Sequence, residues 1–389
     1  MKQSIFDEVI DRQNTSSEKW DALSRVYGTS DALPMWVADM DFPSPKEVQE
    51  ALYARISHPV FGYTFPSNAI GSAIQNWLKN RHDWQIESEW IGYSAGVVSG
   101  IGTAISAFTN PGDQILIQSP VYKPFFDMIE HLDRKVVNSP LLIKNARFEI
   151  DFIDFEEKLI SGVKLFLLCS PHNPGGRVWS KEELIKIGEL CEQYDVLIVS
   201  DEIHADLALS HSKHIPIASL SNSIANRTIT LMAPSKTFNI AGLQASLLLA
   251  SNPEHKKQIE KIQMKNAFHG INLLGLTAME AAYKFGEPWL NELLPYIEEN
   301  IQVAESFIAK ELPILNVMNP DASFLIWIDC RSLGWTDEKL QDTLLNKGKL
   351  ALEPGLKYGQ GGEGFVRMNV GCPRSVLLEG LERLKRALT

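Results

Sequence analysis

The chain has 389 residues, 44% apolar and 22% charged, enough for a large core with a second lobe and ordinary for a globular protein. A net charge of −11 and a pI of about 5.4 argue against bulk attraction to nucleic acid or to an anionic membrane. No window approaches the roughly 20 apolar residues of a membrane helix, and the opening "MKQSIFDEVIDRQNTSSEKW" is too polar for a signal peptide. Cys169, Cys191, Cys330 and Cys372 are scattered, with no CxxC and no metal-ligand spacing. They are expected to be reduced thiols in a cytoplasmic protein.

In chain order, "GYSAGVVSGIGTAISAF" (92–108) places Gly96 just before an apolar, small-residue helix. Such a start suits a phosphate, although glycines of this kind also serve plain close packing. Then come five short apolar runs closed by turn residues: 113–120, 164–171, 195–202, 228–235 and 245–252. Each reads as a buried strand. Between the second and third, "SKEELIKIGELCEQYD" (180–195) repeats Leu184, Ile187, Leu190 and Cys191 at helical spacing, with Ser180 and Glu183 as a capping box. Strand, helix, strand implies parallel pairing and an α/β sheet. The last third predicts a long amphipathic helix over 287–312, a strand in "ASFLIWIDC" and a closing helix in "SVLLEGLERLKRAL". A large lobe over 49–285 and a smaller one from 1–48 with 286–389 are therefore expected.

Ligands of open α/β sheets bind beyond the carboxyl ends of the strands. Here those ends carry Tyr122, Asn173, Asp201, His204 and Ser235-Lys236. Each has a plain structural reading: Asn173 as a turn former, Asp201 as a helix cap, His204 as a structural imidazole, Tyr122 as core, Lys236 snorkelling to solvent. Yet Lys236 is the only formally charged residue between Arg227 and Glu254, and burying a lone ammonium is costly. Pyridoxal 5′-phosphate uses this set well. It needs an amine to form an imine, a carboxylate at its pyridine nitrogen, a donor to its phenolic oxygen, an aromatic face and a phosphate site.

"AGVVSGI", "SPHNPGGRVWS", "VSDEIHADL", "APSKTFNIAGL" and "FVRMNVGCPR", in that order, resemble the fold type I pyridoxal-phosphate enzymes of the aminotransferase class I/II family over essentially the whole chain. "LPMWVADMDF" (33–42), "FGYTFP" (61–66) and "DEIHADL" resemble its cystathionine β-lyase branch, the MalY/PatB-like C–S lyases. The resemblance implies an α/β fold, with a large domain around a mostly parallel sheet and a smaller α+β domain. It implies that Lys236 bonds the cofactor, Asp201 holds the pyridine nitrogen, Asn173 the phenolic oxygen, and Tyr122 stacks on the ring. Val97 and Val98 would offer N–H groups to the phosphate, with Ser235 and with Tyr63 of a second subunit; His204 lies nearby where many relatives carry tyrosine. Arg367 would clamp the substrate carboxylate, a task suited to a guanidinium, with Asn173 and Asp39 also on the substrate side. Gln244 stands where many aminotransferases carry a phosphate-binding arginine. The implied function is β-elimination from L-cystathionine or a related cysteine thioether, giving homocysteine or another thiol, pyruvate and ammonia, in methionine and cysteine metabolism. The implied assembly is a homodimer. Transamination on the same fold, and a regulatory protein partner such as a transcription activator, are the alternatives.

Overall fold

The computed structural model describes residues 4–389. Its centre is a seven-stranded sheet: β1 (Ile91–Ser94), β2 (Gln114–Ile117), β3 (Lys135–Asn138), β4 (Leu165–Cys169), β5 (Leu197–Asp201), β6 (Thr228–Met232) and β7 (Ser246–Ala250). The spatial order is β1-β7-β6-β5-β4-β2-β3. β7 runs antiparallel to both neighbours, and every other pairing is parallel. The five expected strands all form. β1 and β3 were not read from the sequence. Both lie at the edges of the sheet and are only partly buried, so they carry no continuous apolar run.

Strands β4, β6 and β7 are buried at every position, as a sheet covered by helices on both faces requires. On one face lies α1 (Val97–Phe108), whose Ile101, Ala104 and Ile105 pack with Ile115, Ile117, Leu231 and Leu248. On the other lies α2 (Lys181–Gln193), whose Leu184, Ile187 and Cys191 pack with Leu116, Phe166 and Ile198. The capping box is present: Ser180 accepts from the Glu183 N–H, and Glu183 accepts from the Ser180 N–H.

The last third builds a second, antiparallel sheet from β8 (Asn316–Val317), β9 (Leu325–Asp329), β10 (Glu353–Pro354) and β11 (Phe365–Asn369), ordered β8-β9-β11-β10. Against it lie α3 (Glu287–Glu311) and α4 (Arg374–Leu388), with Ile297, Ile301 and Ile308 of α3 sharing a core with Leu377, Leu381 and Leu384 of α4. Leu33–Pro34 pairs in parallel with Leu350–Ala351, which ties the N-terminal segment to the last third of the chain. Among the described residues, no helix is long and apolar enough to cross a membrane. The four cysteines are buried and unpaired.

Candidate active site

Four parallel strands end on one rim, and their carboxyl ends surround a cavity of about 220 Å³. Val97, Val98, Tyr122, Asn173, Asp201, His204, Ser235 and Lys236 all line it. The geometry follows from local sequence. Gly96 precedes α1 at φ +134°, a conformation that excludes ordinary side chains. Its N–H is bound by Ser246 Oγ at 3.2 Å, and Ser94 Oγ donates to its carbonyl at 3.1 Å. The next three N–H groups, of Val97, Val98 and Ser99, have no partner among the described residues. They are the free donors of a helix start, where an anion is favoured.

Asp201 closes β5, and its Oδ1 accepts from the Ile203 N–H at 3.1 Å. That is an Asx turn, not a helix cap. Burial pushes its carboxyl up to about 7, against the Ile203 bond and the positive charge of Lys236. Lys236 sits in the short helix Pro234–Thr237 and donates to the Ala38 carbonyl at 2.7 Å. Burial lowers its ammonium to about 8, with the positive charge of Arg367 next in size; Asp39 and Asp201 pull the other way. The amine therefore gives up its proton far more readily than a free lysine: a minor neutral, nucleophilic fraction is present near pH 7, and it becomes the main form above about pH 8. Burial likewise pushes His204 down to about 3, aided by Lys236 and Arg367, so its ring is a neutral one. Its Nδ1 is buried without a partner. Burial raises the Tyr122 hydroxyl, as does the nearby Asp201 carboxylate, so the phenol stays protonated.

Arg367 lies on β11 of the second sheet and reaches across to Asn173, with Nη1 donating to its Oδ1 at 3.1 Å. Nη2 donates to the Trp36 carbonyl at 2.7 Å, and Nε is buried without a partner. The guanidinium lies over the Tyr358 ring at 5.4 Å. Arg367 is thus buried, lines neither cavity directly, and keeps one guanidinium donor unpaired.

Three residues singled out from the sequence fall elsewhere. Asp39 lines an adjoining outer cavity of about 670 Å³, which shares Ala38, Lys236 and Ala241 with the inner one. It is held there by Arg12 through a two-pronged ion pair at 3.0 and 2.7 Å. Tyr63 does not meet the site of its own chain: it is fully exposed on the irregular segment 58–67. Gln244 is exposed at φ +50°, closing the turn Ala241–Leu243, and lines neither cavity. In compensation, the structure adds Ala38, Cys169 and Ile203 as lining residues that the sequence reading passed over. Burial holds the Cys169 thiol well above its usual range, so it is inert wall and not a nucleophile.

The fold and this rim of functional groups together define a class. The profile of the family described as aminotransferase class I and II matches residues 35–384, and the chain belongs to that family. It is 49% identical to cystathionine β-lyase PatB of Bacillus subtilis over 99% of this chain and 100% of that protein. It is 34% identical to protein MalY of Escherichia coli over 98% of each. Among solved structures it superposes on cystalysin of Treponema denticola, which contains a pyridoxal 5′-phosphate cofactor, with a TM-score of 0.95 and 36% identity over 98% of both chains. The fold is thus the fold type I architecture of the pyridoxal-phosphate transferases.

Proposed function

We propose that the chain is a pyridoxal-phosphate-dependent C–S β-lyase that cleaves L-cystathionine or a related cysteine thioether to a thiol, pyruvate and ammonia. One observation carries it: an amine lowered to about 8, a buried carboxylate and three unpartnered N–H groups share one cavity. The donor set fits the cofactor end to end. Val97, Val98 and Ser235 would hold the phosphate, Tyr122 the ring face, Asn173 and His204 the phenolic-oxygen side and Asp201 the pyridine nitrogen. When bound, the cofactor supplies a carbonyl carbon for amines and a ring that accepts the electron pair released at the substrate Cα. Asp201, costly to ionise alone, becomes an anion stabilised by a protonated ring nitrogen. Arg367 fixes the substrate carboxylate, and Asn173 is shared between it and the cofactor. Lys236 Nζ, neutral above about pH 8, takes the Cα proton, and the thiolate then departs from Cβ.

Lyase over transaminase is supported by the 49% identity to PatB. A homodimer is part of the proposal: Val60, Phe61, Tyr63 and Phe65 are at least 60% exposed in sequence proximity, and Tyr63 would complete the phosphate site of a second copy. The proposed lobes are 49–285 and 1–48 with 286–389. Four unpaired buried cysteines support a reducing, cytoplasmic compartment. No feature of the site calls for a regulatory protein partner.

The test is a purified enzyme loaded with pyridoxal phosphate and given L-cystathionine without a keto acid. Catalytic release of pyruvate and thiol is expected, together with loss of the cofactor–lysine absorbance band in Lys236→Ala. Turnover that requires a keto acid acceptor would make the protein an aminotransferase.

A further inference from the structure

Residues 36–40 cross between the two sheets with no regular structure. Their five successive carbonyls all accept from side chains. Arg367 Nη2 binds Trp36 O at 2.7 Å, and Asn369 Nδ2 binds Val37 O at 2.7 Å and Asp39 O at 2.5 Å. Lys236 Nζ binds Ala38 O at 2.7 Å, and Asn239 Nδ2 binds Met40 O at 2.8 Å. Asn239 does more: its Oδ1 accepts from the Met40 N–H at 3.0 Å, and its Nδ2 also reaches Phe42 O at 2.8 Å. It stands three residues after Lys236 at φ +55°, a left-handed position that asparagine tolerates. The loop that carries the lysine therefore also holds the strap whose carbonyl the lysine uses. Asn369 fixes the peptides on either side of that carbonyl.

We propose that Asn239 and Asn369 are positioning residues for Lys236. They fix the Ala38 carbonyl, which docks the lysine nitrogen whenever it is not bonded to cofactor and so holds it in place for proton transfer at the substrate Cα. The physical need is plain. A freed lysine on a four-carbon stem has many rotamers to lose, and a misplacement of about 1 Å costs on the order of 100-fold in rate. An irregular strap would not hold its carbonyl still by itself; with no strand ladder here, side chains do so, the two asparagines on the peptides flanking Ala38 together with Arg367 on Trp36 O, Arg12 on Met40 O and Lys19 on Asp39 O.

The role in proton transfer rests on the lyase reading, while the docking requires only the free amine. Two measurements on Asn239→Ala and Asn239→Asp therefore go together. The aspartate keeps shape and tolerates the left-handed backbone, but it cannot donate to Met40 O or Phe42 O. In the loaded enzyme with L-cystathionine, both variants are expected to lose about 10- to 100-fold in kcat with KM within about 3-fold. The kinetic isotope effect of Cα-deuterated substrate is expected to rise, because proton abstraction becomes slower. In crystals of the cofactor-free variants, Nζ is expected to leave Ala38 O. A loss of folded enzyme with an unchanged isotope effect, or Nζ still docked in both variants, overturns the proposal. A wild type without lyase activity overturns the lyase reading alone, and the crystals still decide the docking.

Discussion

Asp201 and Asp206 are two buried carboxylates five residues apart, and they are treated in opposite ways. Asp206 accepts from His82 Nε2 at 2.7 Å, from Trp77 Nε1 at 3.0 Å and from Thr237 Oγ1 at 2.8 Å. Burial alone would raise it, yet the bonds from His82 and Thr237 hold it below the usual carboxylate range. Asp201 is as deeply buried, receives one backbone N–H, and is pushed up to about 7. A carboxylate given three donors is a pillar; one given a single donor is kept for a ligand. The first region binds the helix Asn68–His82 to the lysine-bearing turn, and the second faces the cavity. The protein thus sets a stable girder directly beneath an uncomfortable rim.

The contrast can be broken most forcefully at the rim. Asp201→Asn is expected to lower kcat/KM about 10³-fold, roughly 4 kcal/mol, since it removes the charge that keeps the ring protonated. The same substitution is expected to stabilise the cofactor-free protein at pH 8. A carboxyl with a raised folded pKa contributes stability that is full below about pH 4 and lost as pH rises through about 7. Urea unfolding should therefore show the Asp201→Asn variant ahead by roughly 2 to 4 kcal/mol at pH 8, with the gap closing by pH 4. Wild type and variant of equal stability at both pH values, each free of cofactor, would remove the contrast.

At the girder the sign reverses. Asp206→Ala is expected to cost about 3 kcal/mol of stability at pH 7, because it leaves His82, Trp77 and Thr237 without their acceptor. Thr237→Val removes one donor from the same carboxylate and is expected to cost about 1 to 2 kcal/mol, with Thr237→Ser recovering most of it. Both are read from urea midpoints. The smallest effect belongs to Gln244→Ala. An exposed side chain off both cavities should change cofactor affinity less than about 3-fold in a fluorescence titration, a result that a phosphate-contacting residue at this position would not give.

Much of the rim was legible because it obeys a one-dimensional rule: a buried apolar run, then a polar residue. Asn173, Asp201, Ser235 and Lys236 each end or follow such a run within a few residues. The capping box of α2 was legible for the same reason, since its two partners are three residues apart. What escaped depends on contacts between distant segments. The acceptor of Lys236 is a backbone carbonyl 198 residues away, and a carbonyl carries no side-chain signature. Asn239 and Asn369 look like ordinary polar residues until the strap lies between them. The direction of β7 was likewise hidden, because a fully buried strand reads the same both ways.

That reversed strand has its own consequence. Running against its neighbours, β7 starts at Ser246, the residue that bonds the Gly96 N–H and the Ser94 carbonyl, only ten residues after Lys236. The chain leaving the lysine is thus stitched straight to the cradle of free N–H groups at α1. The sheet acts as a gauge with two jaws, one an amine and the other an anion cradle, and their spacing is set by hydrogen-bonded backbone. An aldehyde without a phosphate would satisfy only the first jaw, so a preference for the phosphorylated vitamer is expected from strand direction together with the Ser246 hydroxyl.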